Sequence, residues 1–398
     1  MLKFYFRYKR SFFILANILI INILASIYIH IPYCKQACTY CDFHFRISQK
    51  DKEEMLKSIE KEIEMRQSYL NDSTISSIYF GGGTPSMLNK AEIQSLIHTI
   101  YNSFKIDTDA EITLECNPDN LNKKKLLELK KIGINRLSIG IQSFDDSDLK
   151  FMNRSHNAKE ALSCIQFAKE IGFENITIDL IYGLPNQSNE SWKKNLAQML
   201  TLGIQHFSAY SLTVEPKTKL KHLIDKKLVT PLDDKITVEH FNTLVDIASE
   251  NNFVHYEISN FGKEGFFSKH NTAYWKHKNY LGVGPSAHSF NGSSRQWNVA
   301  SNKQYIEKVN EDDSYFEVEQ LSNNQQYNEY IFTALRTIWG VELDYINNQF
   351  GQEALNYFKK QVINWRNKGK IKQQGNIYTL TKHGKLYADT IASDLFIV

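Results

Sequence analysis

The amino-acid sequence predicts an α/β protein, with a partial (β/α)6 TIM-like barrel followed by a small C-terminal domain that is mainly helical and winged-helix-like. Short β-rich runs alternate with amphipathic segments six times, and such a succession forms a parallel sheet. Polar motifs recur at or just after the ends of these runs, where β/α barrels carry their active sites. From about residue 300 onward the pattern changes to mainly helical.

The predicted strands are rich in Ile, Leu, Val, Tyr and Phe, and most are closely followed by Gly, Pro, Asn or Asp, as strands that enter turns are. They cover residues 26–31, 77–80, 111–115, 136–140, 175–181 and 206–212. Between them, apolar residues at helical spacing predict helices over residues 52–70, 90–101, 122–132, 158–171, 190–202 and 234–251. In the C-terminal part we predict helices over 328–337 and 353–367, and a short hairpin over 378–385 that enters a last helix.

The chain of 398 residues can bury a large core, in one big domain or in several smaller ones. We expect an apolar N-terminal extension over residues 1–25, the barrel over 26–250, a segment that closes the barrel over 251–300 and the C-terminal domain over 301–398. An alternative is that the C-terminal domain is only a packing lid. The net charge of +3 is close to neutral, so nothing indicates a nucleic-acid partner, which usually needs a clustered basic surface.

The N-terminal residues have the pattern of a signal peptide or membrane helix, because basic residues precede a nearly unbroken apolar run over residues 12–31. Such a helix would leave the basic residues in the cytoplasm and send the rest of the chain outside. A signal-peptide cleavage site could not be placed without cutting close to the first strand. We therefore interpret residues 1–25 as a dispensable extension or an upstream start and expect a cytoplasmic protein. A membrane anchor is the less favoured alternative.

Three of the five cysteines, Cys34, Cys38 and Cys41, lie within eight residues, which is typical of a metal site in a reducing compartment. Thiolates bind zinc or iron–sulfur clusters. A structural zinc site needs four ligands, and the nearby Asp42 or His44 could complete one only in a strained loop. A [4Fe-4S] cluster held by three thiolates, with one iron left free, is favoured. The two remaining cysteines, at positions 116 and 164, are interpreted as structural.

The C-x3-C-x2-C spacing, with the aromatic Tyr40 just before the last cysteine, resembles the radical S-adenosylmethionine (SAM) superfamily, and the resemblance extends along most of the chain. It implies that the free iron binds SAM and that an electron from the cluster cleaves SAM to methionine and a 5′-deoxyadenosyl radical. An electron donor such as flavodoxin or ferredoxin is an implied partner. The cofactor supplies the difficult chemistry, and the protein supplies binding and shielding.

The other polar motifs resemble SAM-binding positions of this superfamily and of its coproporphyrinogen-oxidase branch. The run from Gly81 to Pro85 is similar to the glycine motif whose backbone approaches the methionine amino group. Carboxylates can hold an ammonium or ribose hydroxyls, and an arginine can pair with a carboxylate. Taken one at a time, these residues could instead be helix caps, surface ion pairs or a half-buried strand tyrosine. The implied SAM contacts are Tyr28, Tyr40, Gly82, Gly83, Thr84, Glu115, Gln142, Arg154 and Asp179.

Several motifs look like the oxygen-independent coproporphyrinogen III oxidase group, including Tyr-Ile-His-Ile-Pro at residues 28–32 and Asp-Leu-Ile-Tyr-Gly-Leu-Pro at 179–185. The oxidases of this group carry a fourth cysteine two residues after the third, where this sequence has Phe43. The segment from His270 to Trp275, His-Asn-Thr-Ala-Tyr-Trp, is instead similar to the His-Asn-x-x-Tyr-Trp signature of the HemW-type heme chaperones.

Three functions follow from these resemblances. The first is a heme chaperone that binds a [4Fe-4S] cluster, SAM and heme and passes heme to an acceptor protein. In it, His270 is the candidate iron ligand, and Tyr274 and Trp275 could stack on the macrocycle; alternatively, the segment only closes the barrel. The second is an oxygen-independent coproporphyrinogen III oxidase, in which the radical would abstract hydrogen from propionate side chains. The third is a radical SAM enzyme with another substrate.

Overall fold

The computed structural model describes residues 24–71 and 73–398. Residues 1–23, which carry most of the predicted extension and the candidate membrane anchor, lie outside the described residues. Leu24 and Ala25 were predicted to belong to this extension, but they form the start of the first strand, where both pair with the second strand. Within the described residues, no helix is both long and apolar enough to span a bilayer.

The parallel sheet contains the six predicted strands, side by side in chain order. They are β1 Leu24–Ile31, β2 Thr74–Gly82, β3 Ile106–Cys116, β4 Arg136–Gln142, β5 Asn175–Tyr182 and β6 His206–Ser211. The helices of this region are α1 Lys52–Met65, α2 Lys90–Ser103, α3 Lys123–Lys131, α4 Asp146–Phe151, α5 Ala158–Glu170, α6 Asn189–Thr201, α7 Lys219–Asp225 and α8 Asp234–Glu250. The fold class is confirmed, and only the short α4 and α7 were not predicted.

The segment after α8 extends the sheet at both of its edges. Beside β6 lie the antiparallel strands β8 (Asn260–Gly262) and β7 (Val254–His255). Beside β1 lies the parallel β9 (Tyr280–Val283), followed by three antiparallel strands. The elements are β7 Val254–His255, β8 Asn260–Gly262, α9 Lys269–Trp275, β9 Tyr280–Val283, β10 His288–Phe290, β11 Ser294–Asn298, α10 Asn302–Asn310 and β12 Phe316–Gln320. In the described part of the chain the sheet keeps two edges, at β12 and β7.

The C-terminal unit has its own apolar core, which begins in the first helix after β12. The preceding α10 still packs into the barrel core through Tyr305 and Val309, so this unit starts near residue 321 rather than at the predicted residue 301. Its hairpin, formed by β14 (Ile371–Gln374) and β15 (Ile377–Leu380), lies earlier than predicted. Its elements are α11 Asn323–Leu335, β13 Val341–Glu342, α12 Leu343–Asn367, β14 Ile371–Gln374, β15 Ile377–Leu380, α13 Lys382–Lys385 and α14 Ala388–Asp394. α12 consists of two helical segments that meet at a kink at Gly351, where φ is 86°.

The two faces of the parallel sheet differ in composition, because successive side chains of a strand point to opposite faces. One face carries residues such as Ile29, Phe80 and Leu114, which form the main apolar core together with residues of the surrounding helices. The other face is polar and hydrogen-bonded across strands. Its members include Ser26, Tyr28, His30, Ser77, Tyr79, Glu111, Glu115, Arg136, Asp179, His206 and Ser208.

Glu62 of α1 joins the barrel to its sheet extension. Its carboxylate is fully buried and accepts hydrogen bonds from the backbone N–H of Gly284 at 2.8 Å, from Asn298 Nδ2 at 2.9 Å and from the hydroxyl of Tyr305 at 2.5 Å. A single side chain therefore satisfies donors from three segments that follow one another at the far edge of the sheet.

We expect Glu62→Ala to lower the free energy of unfolding by about 3 kcal/mol, because a buried donor left without its partner costs about 1–3 kcal/mol. Chemical denaturation of the apoprotein measures it. The matched control is Glu64→Ala, on an exposed position of the same helix, where we expect a change within about 0.5 kcal/mol. Equal effects of the two substitutions would contradict this role of Glu62.

Candidate functional site

The three clustered cysteines lie in the loop that follows β1, at the carboxyl edge of the sheet. Backbone hydrogen bonds hold this loop: Cys34 N donates to Arg46 O at 3.0 Å, and Arg46 N donates to Pro32 O at 2.8 Å. Cys34, Cys38 and Cys41 are half-buried free thiols. Burial, with a smaller contribution from the charges of the two other thiols, raises the pKa of Cys41 to about 12. In the described residues, no three His, Cys, Asp or Glu side chains converge as a site for a single metal ion.

The glycine motif after β2 docks directly against the cysteine loop. Gly83 N donates to Ile31 O at 2.9 Å, Thr84 N donates to Tyr33 O at 2.7 Å, and the Thr84 hydroxyl lies 3.5 Å from Cys34 Sγ. A Cβ on Gly83 would lie 2.6 Å from Tyr33 O. Only glycine permits this approach of two backbones, so the motif joins the ends of β1 and β2.

Arg154 lies beside the cysteine loop, after α4. Its Nη1 donates to Cys38 Sγ at 3.3 Å, and its Nη2 donates to Asn117 Oδ1 and to Gly140 O, both at 2.9 Å. Its Nε is buried without a partner in the described part of the chain, so the guanidinium retains a donor. Tyr40 is close to the same guanidinium. Asn117 was not among the predicted contacts, although it belongs to the polar motif at the end of the third predicted strand, two residues after Glu115.

Glu115, at the end of β3, accepts hydrogen bonds from the Tyr79 hydroxyl at 2.8 Å and from Gly82 N at 3.1 Å. Burial raises its pKa to about 7, and the charge of Asp179 contributes. Burial also raises the pKa of Asp179. These two carboxyl groups therefore share a weakly solvated space at the centre of the polar face.

Gln142 ends β4 with a φ of 67°, in the left-handed region that is unusual for a residue other than glycine. Its side chain lies over Gly140, where an added Cβ would be 2.8 Å from Gln142 Nε2 and 3.2 Å from Arg154 Nη2. The backbone turn therefore places the Gln142 amide beside the Arg154 guanidinium, as the sequence motifs predict for one common site.

Tyr28 and His30 point to the same face of β1 and form a hydrogen-bonded chain that sequence reasoning did not identify. His30 Nε2 lies 2.9 Å from the carbonyl oxygen of His44, and the Tyr28 hydroxyl lies 3.1 Å from His30 Nδ1. Because a carbonyl oxygen only accepts, Nε2 carries the proton and Nδ1 accepts from Tyr28. Burial lowers the pKa of His30 to about 4, so the imidazole is neutral and ties Tyr28 to the cysteine loop.

His270, in the first turn of α9, lies deeper on the polar face. Its Nδ1 is 3.0 Å from Ser77 Oγ, its ring is stacked on Tyr79 with centroids 4.9 Å apart, and its backbone N–H donates to Glu111 at 3.3 Å. Burial lowers the pKa of His270 to about 3. Its hydrogen bonds within the described residues use only Nδ1 and the backbone N–H, so the neutral imidazole offers Nε2 to a ligand.

Tyr274 and Trp275, the aromatic pair of the same motif, do not contact the His270 ring. Their own rings lie 5.3 Å apart. Tyr274 is 39% exposed and lines a separate cavity of about 410 Å³ together with Arg295 and Phe332. The structure therefore brings His270 to the predicted SAM contacts, whereas Tyr274 faces the C-terminal unit.

Besides Asn117 and His30, three polar residues of this site were not predicted from the sequence, namely Ser77, Tyr79 and Glu111. The alternation of β2 could have revealed the first two, since Ser77, Tyr79 and Gly81 occupy every second position of a strand. A charged residue inside a predicted β-rich run, such as Glu111, was a further signal, because buried charges require partners.

We expect Gly83→Ala to lose most of the iron and sulfide that the wild type retains after anaerobic reconstitution, because the new Cβ would overlap the backbone of the cysteine loop. The control is Gly133→Ala. Gly133 has a φ of 94° and nothing within 4 Å of an added Cβ, so this variant carries backbone strain without crowding and should keep its iron. Full iron content in Gly83→Ala would show that the close approach is dispensable.

The raised pKa of Glu115 makes its contribution to stability depend on pH. Because the group holds a proton in the folded state up to a pKa of about 7 and in the unfolded state only up to about 4.3, the free energy of unfolding falls as pH rises through this window. Glu115→Gln removes this pH-dependent contribution. Relative to the wild type, the free energy of unfolding of the variant should therefore be higher at about pH 8 than at about pH 5. Denaturant unfolding of both apoproteins measures it. A difference that does not change with pH would contradict it.

Comparison with known proteins agrees with this arrangement. The radical SAM superfamily model matches residues 28–199, and the HemN C-terminal domain model matches residues 321–387. The heme chaperone HemW of Bacillus subtilis (strain 168) is 34% identical over 371 residues, which cover 92% of this chain and 98% of that protein. The heme chaperone HemW of Lactococcus lactis (strain IL1403) is 34% identical over 326 residues, covering 82% and 85%.

Among solved structures, the coproporphyrinogen III oxidase HemN of Escherichia coli superposes with a TM-score of 0.82 at 23% identity, covering 94% of this chain and 90% of that one. At this identity the likeness shows the fold alone. The matching models and the full-length relatives confirm the resemblance that the sequence motifs indicate. This chain therefore belongs to the radical SAM superfamily and, within its HemN-like group, to the family of the HemW proteins.

Proposed function

We propose that this protein is a heme chaperone that binds a [4Fe-4S] cluster, SAM and heme and transfers heme to an acceptor protein. The observation that carries the proposal is the match to a heme chaperone over 98% of the length of that relative. A family likeness that spans both the barrel and the C-terminal unit supports a shared function better than a likeness of the barrel alone would. A cytoplasmic location is part of the proposal.

The chemistry of the strand-end residues fits the cluster and SAM. Cys34, Cys38 and Cys41 supply soft thiolate ligands, and the bound cluster would provide the electron for reductive cleavage of SAM. Arg154 has an unpartnered buried Nε–H, which suits a carboxylate. Glu115 is a partly buried carboxyl group that accepts only two hydrogen bonds from the described residues, and such a group suits an ammonium or a hydroxyl. The remaining proposed SAM contacts are Tyr28, Tyr40, Gly82, Gly83, Thr84, Gln142 and Asp179.

The chemistry of His270 fits an axial iron ligand. Its pKa of about 3 keeps the imidazole neutral at physiological pH, and the neutral ring is the form that binds a metal. Ser77 Oγ lies beside Nδ1 at 3.0 Å, as the outer hydrogen-bond partner of a ligating histidine does. We therefore propose Nε2 of His270 as the atom that binds heme iron.

Phe43 distinguishes this proposal from an oxidase. The side chain occupies the position of the fourth cysteine of the coproporphyrinogen oxidases and is 68% exposed on the cysteine loop. A phenyl ring offers neither a thiol nor a transferable proton. Decarboxylation of coproporphyrinogen III is the alternative function, and the test below is designed to exclude it.

The test uses the full chain, reconstituted anaerobically with iron and sulfide. We expect it to bind heme with a defined Soret band, and His270→Ala to weaken heme binding by about tenfold or more. His98→Ala, at an exposed position of α2, is the matched control and should bind as the wild type does. With reductant, SAM and coproporphyrinogen III, mass spectrometry should detect no loss of carboxylates.

Each outcome has a distinct meaning. A wild type that does not bind heme would refute the chaperone function. An unchanged Soret band and affinity in His270→Ala would remove His270 as the ligand. Loss of two carboxylates from coproporphyrinogen III would make the protein an oxidase, in spite of Phe43.

A further inference from the structure

Tyr79, in the middle of β2, contacts both proposed ligand-binding regions of the polar face. Its ring is stacked on the imidazole of His270, with centroids 4.9 Å apart and planes inclined by 28°. Its hydroxyl donates to Glu115 Oε1 at 2.8 Å. One side chain thus spans the distance between the proposed heme ligand and a proposed SAM contact.

Both neighbours of Tyr79 are held in place by further hydrogen bonds. On the side of His270, Ser77 Oγ lies 3.0 Å from the ring nitrogen Nδ1, and the Glu111 carboxylate accepts the backbone N–H at 3.3 Å. On the side of Glu115, Gly82 N donates to the second carboxylate oxygen at 3.1 Å. Because neither partner can turn away freely, a change of charge on one is felt through Tyr79 by the other.

The physical effect has a definite sign. A metal ion bound to Nε2 withdraws electron density from the imidazole, and a positively polarised ring that faces a tyrosine is favoured by the π electrons of that tyrosine. The same polarisation makes the Tyr79 hydroxyl a stronger donor to Glu115. A stronger donor stabilises the ionised carboxylate, and the ionised form binds an ammonium or a hydroxyl group better than the acid does. In a poorly solvated site, hydrogen bonds polarise one another more than in water.

We propose that Tyr79 is a positioning residue that couples the two sites, so that heme on His270 strengthens SAM binding at Glu115. The inference rests on the proposed function, because it needs both ligands. Since coupling between two binding sites is reciprocal, SAM strengthens heme binding by the same factor. The consequence would be a chaperone that retains heme best while SAM is bound and releases it more readily when SAM leaves.

The experiment measures binding in the anaerobically reconstituted full chain. The SAM dissociation constant is obtained by equilibrium dialysis with and without one equivalent of heme, and the heme dissociation constant by Soret titration with and without SAM. We expect heme to tighten SAM binding by about fivefold, and SAM to tighten heme binding equally. Tyr79→Phe keeps the stacked ring but removes the hydroxyl, so it should reduce both factors to about one while heme still binds.

Tyr101→Phe, at an exposed position of α2, makes the same chemical change elsewhere and should keep the full factor. If Tyr79→Phe does not fold, Ser77→Ala serves instead, since it frees the His270 ring from its second contact and should also lower the factor. A merely structural role of Tyr79 would weaken both ligands without changing the ratio between the liganded and unliganded measurements.

The inference is overturned if the wild type binds both ligands with no coupling or with the opposite sign, or if Tyr79→Phe keeps the full factor. Failure of the proposed function is read separately, in a Soret titration without SAM. If His270→Ala binds heme as the wild type does, the proposed ligand is wrong. If that variant also keeps the coupling factor, the role of Tyr79 is wrong as well.

Discussion

Each buried group on the polar face of the parallel sheet needs a hydrogen-bond partner. A buried donor or acceptor without one costs about 1–3 kcal/mol, so partners from other strands or from the segment after α8 are required. Glu111 illustrates the constraint: it is 4% exposed and accepts the first backbone N–H groups of α9. The helix that carries the His-Asn-x-x-Tyr-Trp motif is thereby attached to the sheet from which the site is built.

The same constraint explains why the site lies at the carboxyl edge. Loops after successive parallel strands meet there, and glycine allows two of them to approach to backbone contact, as Gly83 does beside Tyr33. The cysteine loop is fixed by its neighbours as well as by its own backbone hydrogen bonds. His30 of the preceding strand and Arg154, which follows α4, each bind it. The cofactor chemistry proposed for the cysteines depends on this packing.

The segment after α8 connects the site to the rest of the chain. It contributes α9 to the polar face, strands to both edges of the sheet, and Tyr274 to the cavity beside the C-terminal unit. In the described structure α9 is attached by hydrogen bonds to Glu111 and Ser77, and none of its own residues is fully buried.

The sequence by itself determined the six βα units, the cysteine cluster and the family, because these depend on local periodicity and on motifs of fixed spacing. It also indicated which residues stand at strand ends. Only the tertiary structure decided that Tyr79 joins Glu115 to His270, that His30 contacts the cysteine loop, and that α10 belongs to the barrel rather than to the C-terminal unit. Those contacts join residues up to 243 positions apart, as in the hydrogen bond from Tyr305 to Glu62, and no local pattern encodes which buried partner a polar side chain meets.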